Sequence, residues 1–141
     1  LGQTEKPIED HSAAILLTPR SAPTYNRRGS AYLILGQSQR AVEDFDEAIG
    51  LNPQFGAAYS NRGFALINLG QSQQAVADYT QAILLSSGEG DAYAGRALAD
   101  ILLGRDTEAE QDVERAVELG VDAASLKETI KGLRTPRAAT T

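Results

Sequence analysis

The sequence predicts an all-α fold, a solenoid of stacked antiparallel helix pairs, and three observations carry the prediction. Residues recur at one fixed interval: Tyr25, Tyr59 and Tyr93 stand 34 apart, as do Arg28, Arg62 and Arg96, and Gly36, Gly70 and Gly104. Within each interval two stretches repeat their apolar residues at helical spacing, with a glycine between them. Small residues recur where two helices must approach closely, at Gly29, Gly63 and Ala97 on the first helix and Ala41, Ala75 and Ala109 on the second. A single short helix pair cannot bury its own apolar face, so such units must lean on one another.

The units divide the chain. Three full copies run over 22–55, 56–89 and 90–123. Their first helices are expected over about Pro23 to Leu35, Ala57 to Leu69 and Asp91 to Leu103. Gly36, Gly70 and Gly104 then fall where a left-handed C-cap wants glycine. Ser38, Ser72 and Asp106 follow as expected N-caps of the second helices. Those helices are expected to end near Leu51, Leu85 and Leu119, stopped by Asn52-Pro53, by the Gly-rich segment from Ser86 to Gly90, and by Gly120.

Both ends extend the pattern. Residues 1–21 read as the second half of a truncated preceding unit, with a helix over about 7–18 opening at Pro7. Leu1-Gly2-Gln3 matches Leu35-Gly36-Gln37, and Leu17-Thr18-Pro19 matches Leu51-Asn52-Pro53. Such a start fits either a piece of a longer or processed chain or a half-unit acting as an N-terminal cap. Residues 124–134 read as a capping helix behind an Asp122 N-cap. It carries Leu126, Ile130 and Leu133 on one face and Lys127, Glu128 and Lys131 on the other. The polar tail 135–141 is expected to be disordered.

The repeated residues resemble the tetratricopeptide repeat (TPR) family. Tyr25, Gly29, Tyr32, Gly36, Ala41, Phe45, Ala48 and Pro53 carry the resemblance in the first copy. Tyr59, Gly63, Leu66, Gly70, Ala75, Tyr79 and Ala82 carry it in the second. The third departs, with Ala97, Asp100, Val113 and Val121 where the pattern has Gly, Tyr, Phe and Pro. The resemblance implies a right-handed superhelix whose first helices line a concave groove for a partner's peptide or helix.

Helical spacing places Asn26, Ser30 and Leu33 on that face in the first unit, Ser60, Asn61, Phe64 and Ile67 in the second, and Ala94, Leu98 and Ile101 in the third. The face is apolar enough to mark an interaction site. The expectation is therefore a non-catalytic protein–protein interaction module with a protein or peptide partner. The competing expectation is a structural segment of a longer protein that self-associates through its exposed terminal faces. Some family members grip the acidic C-terminal tail of a chaperone with Lys, Asn and Arg at fixed groove places. Tyr59-Ser60-Asn61-Arg62 resembles the Asn-bearing segment of that clamp. The remaining places hold Asn26, Ser30, Asp91 and Gly95, so no such clamp is expected.

Composition narrows the alternatives. A net charge of −6 argues against nucleic acid, which calls for a surplus of Lys and Arg. No apolar run reaches the ~20 residues of a membrane span. With no cysteine there is no disulfide or thiolate metal site. The one histidine, His11, matches the aromatic slot of Phe45 and Tyr79 and reads as a packing residue. No nucleophile pair, phosphate loop or metal cluster stands out, so no catalysis and no cofactor are expected. Two charged ladders share the interval, Arg28, Arg62 and Arg96 against Asp10, Asp44, Asp78 and Asp112. Mutual pairing is the expected role, with a row of Arg for anionic ligands as the alternative. The compartment is not legible.

Overall fold

The computed structural model describes residues 21–134. Residues 1–20 of the expected half-unit, with Pro7, Asp10 and His11, and the tail 135–141 lie outside the described residues. Among these, seven helices follow one another: α1 (Ala22–Ile34), α2 (Ser38–Leu51), α3 (Gly56–Asn68), α4 (Ser72–Leu85), α5 (Gly90–Leu102), α6 (Asp106–Glu118) and α7 (Ala123–Arg134). They pack as the pairs α1–α2, α3–α4 and α5–α6. α2 then leans on α3, and α4 on α5. This is the all-α solenoid that the fixed interval predicts.

One turn is used four times. Gly36, Gly70, Gly104 and Gly120 all have positive φ, between 74° and 104°, and no other residue type does among the described residues. At the first turn the Gln37 N–H donates to the Tyr32 carbonyl at 2.9 Å and the Gly36 N–H to that of Leu33 at 3.0 Å. This crossed pair satisfies carbonyls that the helix end leaves open, and a residue with a Cβ would be strained at the glycine. The next residue has its own task, since the Gln37 carbonyl accepts the first bond of α2, from Ala41 N–H at 3.1 Å.

That explains one correction. The N-caps are Gln37, Gln71 and Arg105, none of which makes a side-chain capping bond. Ser38, Ser72 and Asp106 are instead the first helical residues. The tight turn hands over to the next helix one position earlier than a serine-capped start does. Asp122 does cap α7: the Ser125 N–H donates to its Oδ2 at 2.8 Å, which holds the carboxyl below its ordinary value.

The core is built mostly of alanine. Ala41, Ala48, Ala58, Ala65, Ala75, Ala97, Ala99 and Ala116 are almost wholly buried, and Phe45, Leu66, Tyr79 and Leu126 are the large side chains among them. The clusters cross unit boundaries. Ala41 and Phe45 of the first unit share one with Ala65 of the second, and Tyr79 of the second shares one with Ala92 and Ala99 of the third. The larger aliphatics sit further out: Val42, Ile49, Val76 and Ile83 are only partly buried, and Val117 is exposed.

The small residues serve rings. A Cβ on Gly29 would fall 2.6 Å from Phe45 Cε1, and one on Gly63 2.9 Å from Tyr79 Cε2. What lies nearest these glycines is the aromatic ring four residues beyond the expected Ala41 and Ala75. Tyr79 is also held from the other side, because a Cβ on Gly95 would fall 2.2 Å from its Cζ. One ring thus fills the space between two glycines on successive first helices. Burial, with the nearby Asp78 and Asp91 carboxylates, pushes its hydroxyl well above its ordinary value.

The charged ladders pair inside the stack. Arg28 and Asp44, Arg62 and Asp78, and Arg96 and Asp112 each make two parallel bonds of 2.7 to 2.8 Å. Arg62 Nη1 also reaches Asp46 of the preceding unit at 2.9 Å, and Arg96 Nη1 reaches Thr80 at 3.2 Å. The Asp partners are buried, and the fork geometry suits bidentate pairing. Bonding to these carboxylates raises the affinity of all three guanidiniums for their protons. The Arg row is therefore occupied in tying the two helices of each unit together, with Arg62 and Arg96 also reaching the preceding unit.

Candidate functional site

The first helices touch one another: α1 meets α3, α3 meets α5, and α5 meets α7, with no comparable contact joining the second helices. In a stack of pairs, the layer whose members approach more closely is the inner side of the curve. The residues expected to face a groove lie on this inner layer.

At its first end the structure brings three of them together. Asn61 Nδ2 on α3 donates to Asn26 Oδ1 on α1 at 3.1 Å and stands 3.4 Å from Ser30 Oγ. The Ser30 hydroxyl donates to the Asn26 carbonyl at 3.0 Å. This ties the facing surfaces of two units while all three residues stay half-buried. Ser60 differs, since its hydroxyl oxygen is buried and accepts or donates no hydrogen bond.

The middle of the layer is apolar. Phe64 is 49% exposed, unusually high for a phenylalanine, and Leu33, Ile67, Leu98 and Ile101 are half-buried around the same face. Ala94 is covered. It is 8% exposed and packs with Ala116 and Leu126, so it forms floor rather than contact surface. Asp91, at the start of α5, is exposed.

The far end holds residues that sequence spacing assigned to the outer face of the last helix. A cavity of about 460 Å³ opens between α5, α6 and α7. Ile101, Ala109, Val113 and Ile130 give it apolar walls, and Lys127, Lys131, Arg134 and Glu110 give it charge. The signal was one residue of offset. α7 begins 33 residues after α5, not 34, as the starts Gly90 and Ala123 show. With that offset Lys127, Lys131 and Arg134 take the places of Ala94, Leu98 and Ile101.

Asp100 is a second departure, standing where the earlier copies have Tyr32 and Leu66. It is 4% exposed, its Oδ1 accepts no hydrogen bond, and the Arg105 guanidinium stands 3.7 Å off. Desolvation raises its carboxyl above the ordinary range, with help from the Asp112 charge. Among the described residues no three His, Cys, Asp or Glu side chains gather as a metal site, and no helix is long and apolar enough to cross a membrane.

Antiparallel helix pairs stacked in sequence order define an α-solenoid of the superhelical-repeat class. Tetratricopeptide repeat family models match residues 22–55 and 56–88, and the chain belongs to that family. Among solved structures it is similar to MamA at 27% identity, over 88% of this chain and 72% of that one, with a TM-score of 0.77. The second TPR of Spaghetti (RPAP3), solved with the HSP90 peptide SRMEEVD, shares 31% identity over 70% of this chain and 92% of its own, with a TM-score of 0.69. The Arabidopsis OM64 TPR domain shares 30% identity over 79% and 95%, with a TM-score of 0.73. No curated protein sequence matches.

Proposed function

We propose that the chain is a non-catalytic interaction module whose inner face holds an extended or helical segment of a partner protein. The observation that carries this is the half-exposed Phe64 ring, flanked by Ile67, Leu98 and Ile101 on the wall that the first helices share. Leaving a phenylalanine half in water forgoes stabilisation that burial would supply, which is characteristic of contact surfaces. The RPAP3 relative, solved with an HSP90 peptide, supports a peptide as the kind of ligand. Ligand side chains would seat on the apolar middle, and the Asn26–Ser30–Asn61 cluster would meet ligand backbone.

The groove does not repeat the chaperone-tail clamp. Asn26, Ser30, Asp91 and Gly95 supply no cation at the clamp places, and Asp91 repels a carboxylate there. The test is a peptide selected by display against the folded chain. Phe64→Glu with Leu98→Glu should abolish its binding and leave a folded monomer. Undiminished binding in that variant would refute the groove. If the pair instead breaks a dimer, the face serves self-association.

A further inference from the structure

We propose that the cavity between α5, α6 and α7 is a distinct subsite that takes an apolar side chain followed by a carboxylate of a peptide partner. It deepens the groove reading and rests on it, because Ile101 belongs to both surfaces. Three observations support this. The cavity, about 460 Å³, accommodates a leucine-sized side chain and the backbone beside it, and Ile101, Val113 and Ile130 offer it apolar contact. Lys127 and Lys131, one turn apart on α7, are exposed and form no ion pair among the described residues, whereas Arg134 is already engaged with Asp106 at 3.4 Å. Two exposed ammonium groups beside an apolar cavity are complementary to an anion that adjoins an apolar group. Finally, this site reverses the sign of its surroundings. The chain carries a net charge of −6, yet three of the four charged residues lining the cavity are cations, Glu110 being the exception.

Asp91 fixes the direction. Exposed at the start of α5, it would turn a carboxylate away from there. An acidic ligand group is thereby directed to the α7 end, with apolar groups lying back toward Leu98 and Phe64.

The test uses two fragments, N-acetyl-Leu-Asp-amide and its neutral counterpart N-acetyl-Leu-Asn-amide, titrated into the folded chain by methyl and amide NMR. The acidic fragment should shift Ile101, Val113 and Ile130 saturably and bind about fivefold or more tightly than the neutral one at low salt. The advantage should shrink several-fold on raising salt from about 0.05 to 0.5 M. Lys127→Glu with Lys131→Glu, both at exposed positions, should keep the helical circular dichroism and remove the advantage. Equal binding of the two fragments, shifts elsewhere, or no saturable shift would overturn the subsite. So would charge reversal that dissolves a dimer, because a second copy would then be the occupant. A display-selected peptide that perturbs Phe64 and Leu98 but not Ile130 would overturn the subsite while leaving the groove intact. Fragments that saturate the cavity while groove peptides fail to bind would overturn the groove alone.

Discussion

Replace Arg62 with alanine and Asp78 loses both of its guanidinium bonds while remaining 6% exposed. Removing one partner of a buried pair costs about 3–5 kcal/mol, because the other charge is left desolvated. The Arg62 side chain is 23% exposed, so water will reach part of the vacated space and the figure falls to about 2–3 kcal/mol. For a chain of 141 residues each kcal/mol moves the thermal midpoint by about 3 °C, which gives a drop of about 6–9 °C. The structure supplies its own control. Asp46 pairs with the same arginine, but its side chain is 55% exposed, so Asp46→Ala should cost less than about 1 kcal/mol. Differential scanning calorimetry of the two variants, with Arg62→Leu/Asp78→Leu as a third, decides the matter. The double leucine variant should recover most of the loss, since apolar residues of similar volume tolerate such a site. If Arg62→Ala costs no more than Asp46→Ala, the arginine row does not hold the helix pairs together. If it instead abolishes ligand binding without lowering the midpoint, the arginines face a ligand.

Four further outcomes follow from the packing. Gly95→Ala should destabilise by about 1–3 kcal/mol, although helix propensity alone favours alanine by about 1 kcal/mol, because the new Cβ meets the Tyr79 ring. Gly50→Ala, with open space around it in α2, should stabilise by up to about 1 kcal/mol, and urea titrations of both variants read the contrast in sign. Gly63→Leu should lower the thermal midpoint sharply, since the ring that packs on Gly63 cannot retreat with Gly95 behind it. Asp100 carries a raised pKa, so its ionised form weakens the fold above that pKa, and the penalty fades as pH falls toward the ordinary carboxylate value of about 3.9. Asp100→Leu should therefore stabilise the chain at neutral pH by a margin that shrinks on acidification, as measured by urea unfolding across pH.

Most of the fold was legible because it is periodic. A glycine at one interval meant one turn geometry, and four positive-φ glycines now occupy that turn. The matched Arg and Asp rows could be read as partners because they shared the interval. What escaped did so for physical reasons. The serine N-caps were misplaced by one residue because the backbone of Gln37 and Gln71 completes the turn and starts the next helix. The Tyr79–Gly95 contact joins residues whose equivalents one interval earlier, Phe45 and Asn61, differ in size and polarity, so no repeated pattern announced it. The Lys127–Lys131 face was hidden by the single-residue change in offset before α7. Asn26, Ser30 and Asn61 were expected on one face by spacing, and their mutual bonds required the distance between α1 and α3. Ala94 was assigned by the same spacing and is covered, because the close approach of α7 is a tertiary fact.

The central claim is that the wall formed by the first helices is the working surface. Peptides enriched by display against the folded chain should shift backbone amides of Asn61, Phe64, Ile67, Leu98 and Ile101 in an NMR titration and leave the outer faces of α2, α4 and α6 unmoved. Shifts concentrated on those outer faces, at Leu84 or Glu47 for example, would contradict it.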